Sequence, residues 1–371
     1  MYIAVVIPAY NIAEFLPTAI QSVIDQTHAD WSLVVVDDGS IDATAAVGAR
    51  FQDLRIRRIR QRNSGVSAAR NAGIRAALVG HPPGGNSDKW AEGSAFMPWS
   101  DLAWPPGILP ASAPPASASL VGRATAHPGP GAAGDIPCYP FASVRPEAFL
   151  FLDGDDWLAP AALALLAETL AEAPWAAAAV ARYARVDLNG AARRSAAPPQ
   201  GSLLERLLTR NLFANGGHLL IRREAIEATG KFRVDLEYGE DWEYWTRLAL
   251  QGEFISVPSR SPLLFVRERL GGAYLSRATD PSAYRPALDV IYHNPGLAQR
   301  LGIARLAALR QRANAEMAWT VGRELIRHGQ NREGSRWLGR SFREAPSLTR
   351  LMLIGLSRLR FGPFRPYRAA T

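Results

Sequence analysis

Three apolar runs in this chain each stop on polar or acidic residues, and this pattern limits the fold more than any other feature. Tyr2–Pro8 (YIAVVIP) leads into Ala9-Tyr10-Asn11. Ser32–Asp38 (SLVVVDD) leads into Gly39-Ser40. In FLFLDGDDWLAP, Phe149–Leu152 leads into Asp153, Asp155 and Asp156. Runs without alternation suit strands covered on both faces, as in parallel sheets. Segments of helical spacing lie between them: Ala13–Gln26, Asp42–Phe51 and Val66–Leu78. Ile56–Gln61 adds a more polar strand, nearer an edge. Strand and helix in this rhythm predict an α/β fold with a mostly parallel sheet and right-handed crossovers.

The rhythm breaks between Val79 and Pro146. That stretch holds 13 of the chain's 27 prolines and keeps no helical or strand period. It reads as a loose surface segment or a lid, with Trp90, Phe96, Trp99 and Trp104 as anchors. Order returns at Ala148–Leu152. Pro160 suits the first turn of a helix over Ala161–Ala173. Ala176–Asp187 reads as one strand, with Asn189-Gly190 as a turn. Ser202 and Glu205 have the spacing of a capping box opening a helix to Thr209. His218–Arg222 is a short strand, Asp241–Leu250 a helix, and Phe254–Val257 and Leu263–Val266 closing strands. Helices rich in Arg follow from Leu297.

Charge is unevenly placed. The net charge is +8, yet Leu297–Thr371 carries 15 Arg against 4 Glu, or +11, which leaves −3 for the rest. A single cysteine, Cys138, excludes a disulfide framework and fits a reducing compartment. The amino-terminal run lacks a basic n-region and reads as a strand rather than a leader. No apolar run reaches the roughly 18–20 residues that span a bilayer.

Ligands of parallel α/β sheets bind outside the carboxyl ends of strands. Three polar strand ends converge there. A D-x-D pair presents two oxygen ligands around a small residue, which suits Mg²⁺ or Mn²⁺ completed by substrate phosphates. The plainer reading is a solvated acidic turn ahead of a helix, and for Asp38 a helix cap.

The order PAYN, VVVDDGSIDAT, NSGVSAARNAGI, FLFLDGDDW and GEDWEYWTRLAL resembles the family 2 glycosyltransferases of the GT-A fold. The likeness covers Met1–Leu78 and Ala148 to about Ser276. It implies a Rossmann-like, mostly parallel sheet flanked by helices, with a helical C-terminal appendage. The implied organisation is a nucleotide-binding half at 1–78, the insertion at 79–147, a metal- and acceptor-binding half at 148–290 and a basic helical region at 291–371. The implied reaction is inverting, metal-dependent transfer of a sugar from a nucleotide diphosphate sugar, UDP-linked, to a hydroxyl of a glycan or lipid-linked acceptor.

The resemblance also implies residue roles. Pro8, Ala9 and Tyr10 line the base and ribose, and Asp38 accepts from the pyrimidine ring. Arg70 lies near the nucleotide, where a guanidinium matches a carbonyl or phosphate; a surface ion pair is its other reading. Asp153 contacts ribose, Asp155 holds the metal, and Asp156 supports that shell or faces the donor sugar. Asp241 of the Glu240-Asp241 pair is the base; the plainer reading is an acidic helix start with Trp242 and Trp245 in the core. Trp242 stacks on a sugar in the functional reading. In FVRERLGGAYLSR, Arg267 and Arg269 stand where the family frequently has a histidine, as phosphate ligands or as surface residues. A nucleotidyltransferase would want a lysine-bearing glycine loop, which PAYN lacks. A non-catalytic sugar-nucleotide module would not need Asp155 and Asp241.

Leu348–Arg360 (LTRLMLIGLSRLR) mixes leucine with arginine. It reads as a helix packed on the body with a solvated Arg face, or one resting on an anionic membrane surface. The expected place is the cytoplasm, peripheral at the inner face. No nucleic-acid module accompanies the basic charge.

Overall fold

The computed structural model describes residues 1–79, 145–269 and 277–357, together with Phe364. The insertion, its four aromatic anchors, Cys138 and the loop end at Ser276 lie outside the described residues.

The apolar runs form the centre of a seven-stranded sheet. It contains β1 (Ile3–Ala9), β2 (Trp31–Asp37), β3 (Ile56–Arg60), β4 (Ala148–Phe151), β6 (Ala176–Val180), β9 (Leu219–Arg222) and β10 (Glu253–Ser256). The spatial order is β10-β6-β9-β4-β1-β2-β3. All pairings are parallel except those of β9, which runs antiparallel to β4 and β6. The polar strand β3 is at the edge, as its composition predicts. A four-stranded sheet adds β5 (Trp157–Leu158), β7 (Tyr183–Val186), β8 (Ala192–Arg194) and β11 (Leu264–Arg267), in the order β5-β11-β7-β8.

Because side chains alternate across a strand, the large sheet buries two faces. Ile3, Val5, Ile7, Leu33, Val35 and Leu150 point to the side covered by α1 (Leu16–Ile24), α2 (Thr44–Ala49) and α4 (Ala162–Ala171). Ala4, Val6, Val34, Val36, Phe149 and Phe151 point to the other. That side is covered by α3 (Val66–Val79), α5 (Leu204–Thr209), α7 (Glu240–Leu248), α8 (Pro281–Tyr292) and the long α10 (Ile303–Arg327). Leu306, Leu309, Ala313, Met317, Val321 and Leu325 of α10 belong to the same core as the strands. The short α6 (Arg223–Thr229) and α9 (Pro295–Leu301) link these layers; α11 (Asn331–Glu344) and α12 (Leu348–Ser357) close the described chain. Among the described residues no helix is long and apolar enough to cross a membrane.

Two local expectations are corrected. Ala176–Asp187 is two strands in different sheets, since the chain leaves the large sheet after Val180. An alanine-rich run gives no mark of such a crossing. No capping box opens α5: its N-cap is Leu203, without a side-chain cap, and Glu205 instead pairs with Arg305 at 2.5 Å.

The loop after β2 turns at Gly39, whose φ is +75° and whose missing Cβ would lie 2.6 Å from the Asn63 nitrogen. Gly65 also has a positive φ, +89°, but open space beside it. Gly65→Ala is expected to cost roughly 1–2 kcal/mol for the left-handed backbone. Gly39→Ala carries that same cost plus a backbone clash, so urea denaturation should show it as clearly the more destabilised of the two.

Candidate active site

The ends of β1 and β2 are laced together. Asn11, at φ +49°, takes a left-handed conformation that asparagine tolerates better than most residues. Its backbone N–H donates to Ser40 Oγ at 3.0 Å, and its side-chain oxygen accepts from the Ile41 N–H at 2.9 Å. The Ile12 N–H donates to Thr44 Oγ1 at 2.9 Å. This lacing leaves Pro8 and Ala9 buried and Tyr10 47% exposed.

Asp38 is buried at the end of β2. Its Oδ1 accepts from Gln61 Nε2 at 2.7 Å and the Ser64 N–H at 2.9 Å, and its Oδ2 from the Gly65 N–H at 2.8 Å. Burial raises its pKa against the lowering effect of these three donors. A carboxylate offers about four acceptor positions, so about one remains for a ligand. Gln61, Ser64 and Gly65 also fix the start of α3, which carries Arg70.

Arg70 is only 4% exposed, so it is not a surface ion pair. Its Nη2 donates to Asp153 Oδ1 at 3.0 Å and its Nη1 to Glu240 Oε1 at 3.1 Å. Burial alone would weaken its hold on the proton, but Asp153, Glu240 and Asp241 outweigh that and raise its pKa. One guanidinium therefore joins the end of β4 to the first turn of α7.

Asp241 adjoins this pair. Its Oδ2 accepts from Asn211 Nδ2 at 3.2 Å, and its Oδ1 from the Trp242 N–H at 2.6 Å. Burial, then the negative charge of Glu240, push its carboxyl up to about 7, against the opposing effect of Arg70. A carboxyl poised there can exchange a proton near neutrality. Trp242 is 6% exposed and lies in the core, with Nε1 donating to the Leu207 carbonyl at 2.5 Å. The sugar-stacking role expected for Trp242 is therefore corrected to packing.

The D-G-D turn needs its glycine, because a Cβ on Gly154 would lie 2.1 Å from Ile12 Cδ1 and 3.2 Å from the Pro8 carbonyl oxygen. Asp156 is buried, and its oxygens accept from Asn215 Nδ2 at 2.5 Å and the Arg267 N–H at 2.9 Å. Burial, with Asp155 and Asp153 nearby, raises its pKa well above the usual carboxylate value. Asp155 is raised by burial and by Asp153, while Arg269 opposes this from 2.6 Å. Arg267 Nε donates to the Asp155 carbonyl at 3.2 Å. Its guanidinium stands over Trp157 at 4.8 Å and Phe15 at 5.1 Å.

Crowded hard oxygens, with burial and then mutual repulsion raising the pKa values of Asp155 and Asp156, fit a Mg²⁺ or Mn²⁺ ion. Among the described residues no group of three or more metal-binding side chains converges. Asp155, with Asp153, would thus hold such an ion through one or two carboxylates.

Asn211 and Asn215 had no assigned role in the sequence, although both face carboxylates of this cluster. Their signal was position alone: two polar residues in the irregular NLFAN stretch between a helix and a strand.

Comparison with known proteins follows the same outline. The family model described as Glycosyl transferase family 2 matches residues 4–78. Over 92 residues the chain is 38% identical to Glycosyltransferase GlyA of Streptococcus pneumoniae, covering 24% of this chain and 13% of that protein. Over 73 residues it is 48% identical to Succinoglycan biosynthesis protein ExoO of Rhizobium meliloti, covering 19% of this chain and 21% of that protein. These matches thus span only a small part of either relative. S. aureus TarS 1-349, in complex with UDP-GlcNAc, has the same fold at a TM-score of 0.58 and 15% identity, over 97% of this chain and 88% of that one. The resemblance to family 2 glycosyltransferases, and the GT-A type of the fold with its helical C-terminal region, are borne out.

Removing Arg70 strands two carboxylates. Arg70→Met is expected to cost about 3 kcal/mol, as when one partner of a buried pair is deleted. Arg233→Met, which breaks the exposed pair with Asp235, should cost under about 1 kcal/mol. Urea unfolding of the two variants provides the comparison.

Proposed function

We propose that this chain is an inverting glycosyltransferase that moves a sugar from a nucleotide diphosphate sugar, UDP-linked, to a hydroxyl of a surface glycan or glycolipid acceptor. One observation carries the reading. Arg70 ties the acidic end of β4 to the first turn of α7, so a near-neutral carboxyl at Asp241 adjoins the aspartates suited to a diphosphate's cation. GlyA is a glycosyltransferase, ExoO acts in succinoglycan biosynthesis and TarS binds UDP-GlcNAc, which supports the substrate class.

The residues divide the work. Pro8, Ala9, Tyr10 and Asp38 form the floor and acceptor of a base-binding pocket. Asp153, held by Arg70, faces the ribose. A divalent ion bound at Asp155 would neutralise charge developing on the leaving diphosphate. Asp241 takes the proton of the acceptor hydroxyl as its oxygen bonds to the anomeric carbon. The bond from that carbon to the diphosphate oxygen breaks on the opposite face, which inverts the centre. Asn211 and the Trp242 N–H hold the carboxylate of Asp241 for this task. Burial, and then Glu240, keep it from ionising too readily, and Arg70 limits that effect.

The place of action is the cytoplasmic face of a membrane. The helix α12 exposes Leu348, Leu351, Met352 and Leu356 at helical spacing. Exposed Arg332, Arg336 and Arg343 lie on the neighbouring α11. An apolar stripe beside arginines suits the interface of an anionic bilayer, which would keep a lipid-linked acceptor within reach.

The acid form of Asp241 persists to about 7, so kcat/KM should rise with pH through that value. Asp241→Asn is expected to lower kcat by roughly 10²–10⁴-fold. Release of UDP or GDP from a panel of nucleotide sugars with Mn²⁺ measures both, with Asp155→Ala as a second inactive variant. Unchanged turnover in Asp155→Ala and Asp241→Asn overturns the assignment. Replacing both Leu351 and Met352 by Glu should abolish flotation with phosphatidylserine vesicles without changing turnover of a soluble acceptor.

A further inference from the structure

The acidic turn already has a cation against it, and that cation is part of the chain. Arg269 follows the end of β11, and its Nε lies 2.6 Å from Asp155 Oδ2. The N–H itself makes no well-angled hydrogen bond. The coulombic attraction of Arg269 for Asp155 leads over the side-chain hydrogen bond between them. The Arg269 side chain is 37% exposed, whereas that of Asp155 is 19% exposed. Phe15 supports its guanidinium at 5.7 Å and that of Arg267 at 5.1 Å.

Arg267 differs from its neighbour. Its backbone N–H is bonded to Asp156 and its Nε to the Asp155 carbonyl, so both main chain and side chain are anchored. Arg269 is held by the Asp155 carboxylate and by an aromatic support that it shares with Arg267. Two arginines two residues apart thus present one fixed and one exchangeable positive charge above three aspartates. A divalent ion on Asp155 would lie within a few ångströms of the Arg269 guanidinium, and two cations at that distance repel each other.

We propose that Arg269 is the resident counter-ion of Asp155, displaced when a divalent cation binds the acidic turn, and that its freed guanidinium then meets the diphosphate. The inference rests on the proposed glycosyltransferase reading and adds an ion exchange to it. Before substrate arrives, Arg269 offsets the repulsion among Asp153, Asp155 and Asp156. When metal and donor enter together, one positive charge replaces another at Asp155, and the released arginine adds its charge on the phosphate side. Phe15 offers that guanidinium a surface to move across without returning fully to water. The site would bind a metal weakly alone and well with a diphosphate.

The test separates the two ligands and needs no turnover. Binding of Mn²⁺ alone to the full chain is followed by the loss of its free-ion electron paramagnetic resonance signal. Binding of UDP at saturating Mn²⁺ is followed by calorimetry. Arg269→Gln should bind Mn²⁺ about 2- to 5-fold more tightly than the wild type, the range expected when a partly exposed ion pair stops competing. The same variant should bind UDP about 10-fold more weakly. Arg269→Lys, which keeps the charge, should return both affinities close to the wild-type values. Opposite signs for the two ligands distinguish exchange from a folding defect, which weakens both. Equal Mn²⁺ affinity in the wild type and Arg269→Gln overturns the exchange and leaves the glycosyltransferase reading standing. No Mn²⁺ binding in either protein, with metal-free sugar transfer, overturns the exchange and the metal together but not the transfer reaction.

Discussion

The site depends on one buried guanidinium. Arg70 sits in the second turn of α3, and taking its charge out of water costs several kcal/mol unless it is paired and hydrogen-bonded. Asp153 and Glu240 supply those partners from strand and helix elements far apart in sequence. The pairing works in both directions. The arginine needs the two acids to be buried, and the acids need the arginine to lie so close to Asp241. The spacing between the donor-side aspartates and the candidate base is thus set by a salt-bridged triad rather than by loop packing.

Burial sets the protonation pattern around this guanidinium. Asp155, Asp156 and Asp241 are all shifted upward, and burial is the leading cause each time. Asp156 is turned inward, with its oxygens on Asn215 and on the backbone of Arg267, and joins the D-G-D turn to the small sheet. Asp241 keeps a weaker set of donors and a carboxyl near neutrality. Neighbouring carboxylates thus differ in what they join: Asp156 ties the turn to the small sheet, while Asp241 is held by Asn211 and the first turn of α7.

Much of this was legible in the sequence. Strands buried on both faces read as unbroken apolar runs, so β1, β2 and β4 and the acids at their ends stood out without a structure. The edge position of β3 followed from Arg57, Arg58 and Arg60 among its five residues. The pairing of Arg70 was not legible, because its partners lie 83 and 170 positions away. No local pattern separates such an arginine from one that binds phosphate or water. Asn211 and Asn215 were hidden for the same reason: an irregular segment has no period to show which residues turn inward. Trp242 was ambiguous because core and ligand-stacking aromatics share the same composition. The break between β6 and β7 was obscured by alanines that suit either a continuous strand or two.

The long insertion poses the opposite problem, since it separates in sequence what must adjoin in space. The structure seats the returning edge against β1 and β9. Glu147, just before β4, accepts from the Tyr2 N–H through its side chain at 2.9 Å. Its own N–H donates to the Tyr2 carbonyl at 2.8 Å, and its carbonyl accepts from the Arg223 N–H at 2.9 Å. Ile3 is then in register with Ala148, and Val6 with Phe151. Once β4 is stitched between β1 and β9, Asp153 is delivered to Arg70 by strand geometry alone. Closing a longer loop costs only about 0.6 kcal/mol for each doubling of its length. The core contacts of β4, which bury Phe149, Leu150 and Phe151 completely, exceed that by several-fold. The spacing of the aspartates and the length of the insertion are therefore nearly independent, and a chain of this fold can carry a large addition between α3 and β4 without moving them.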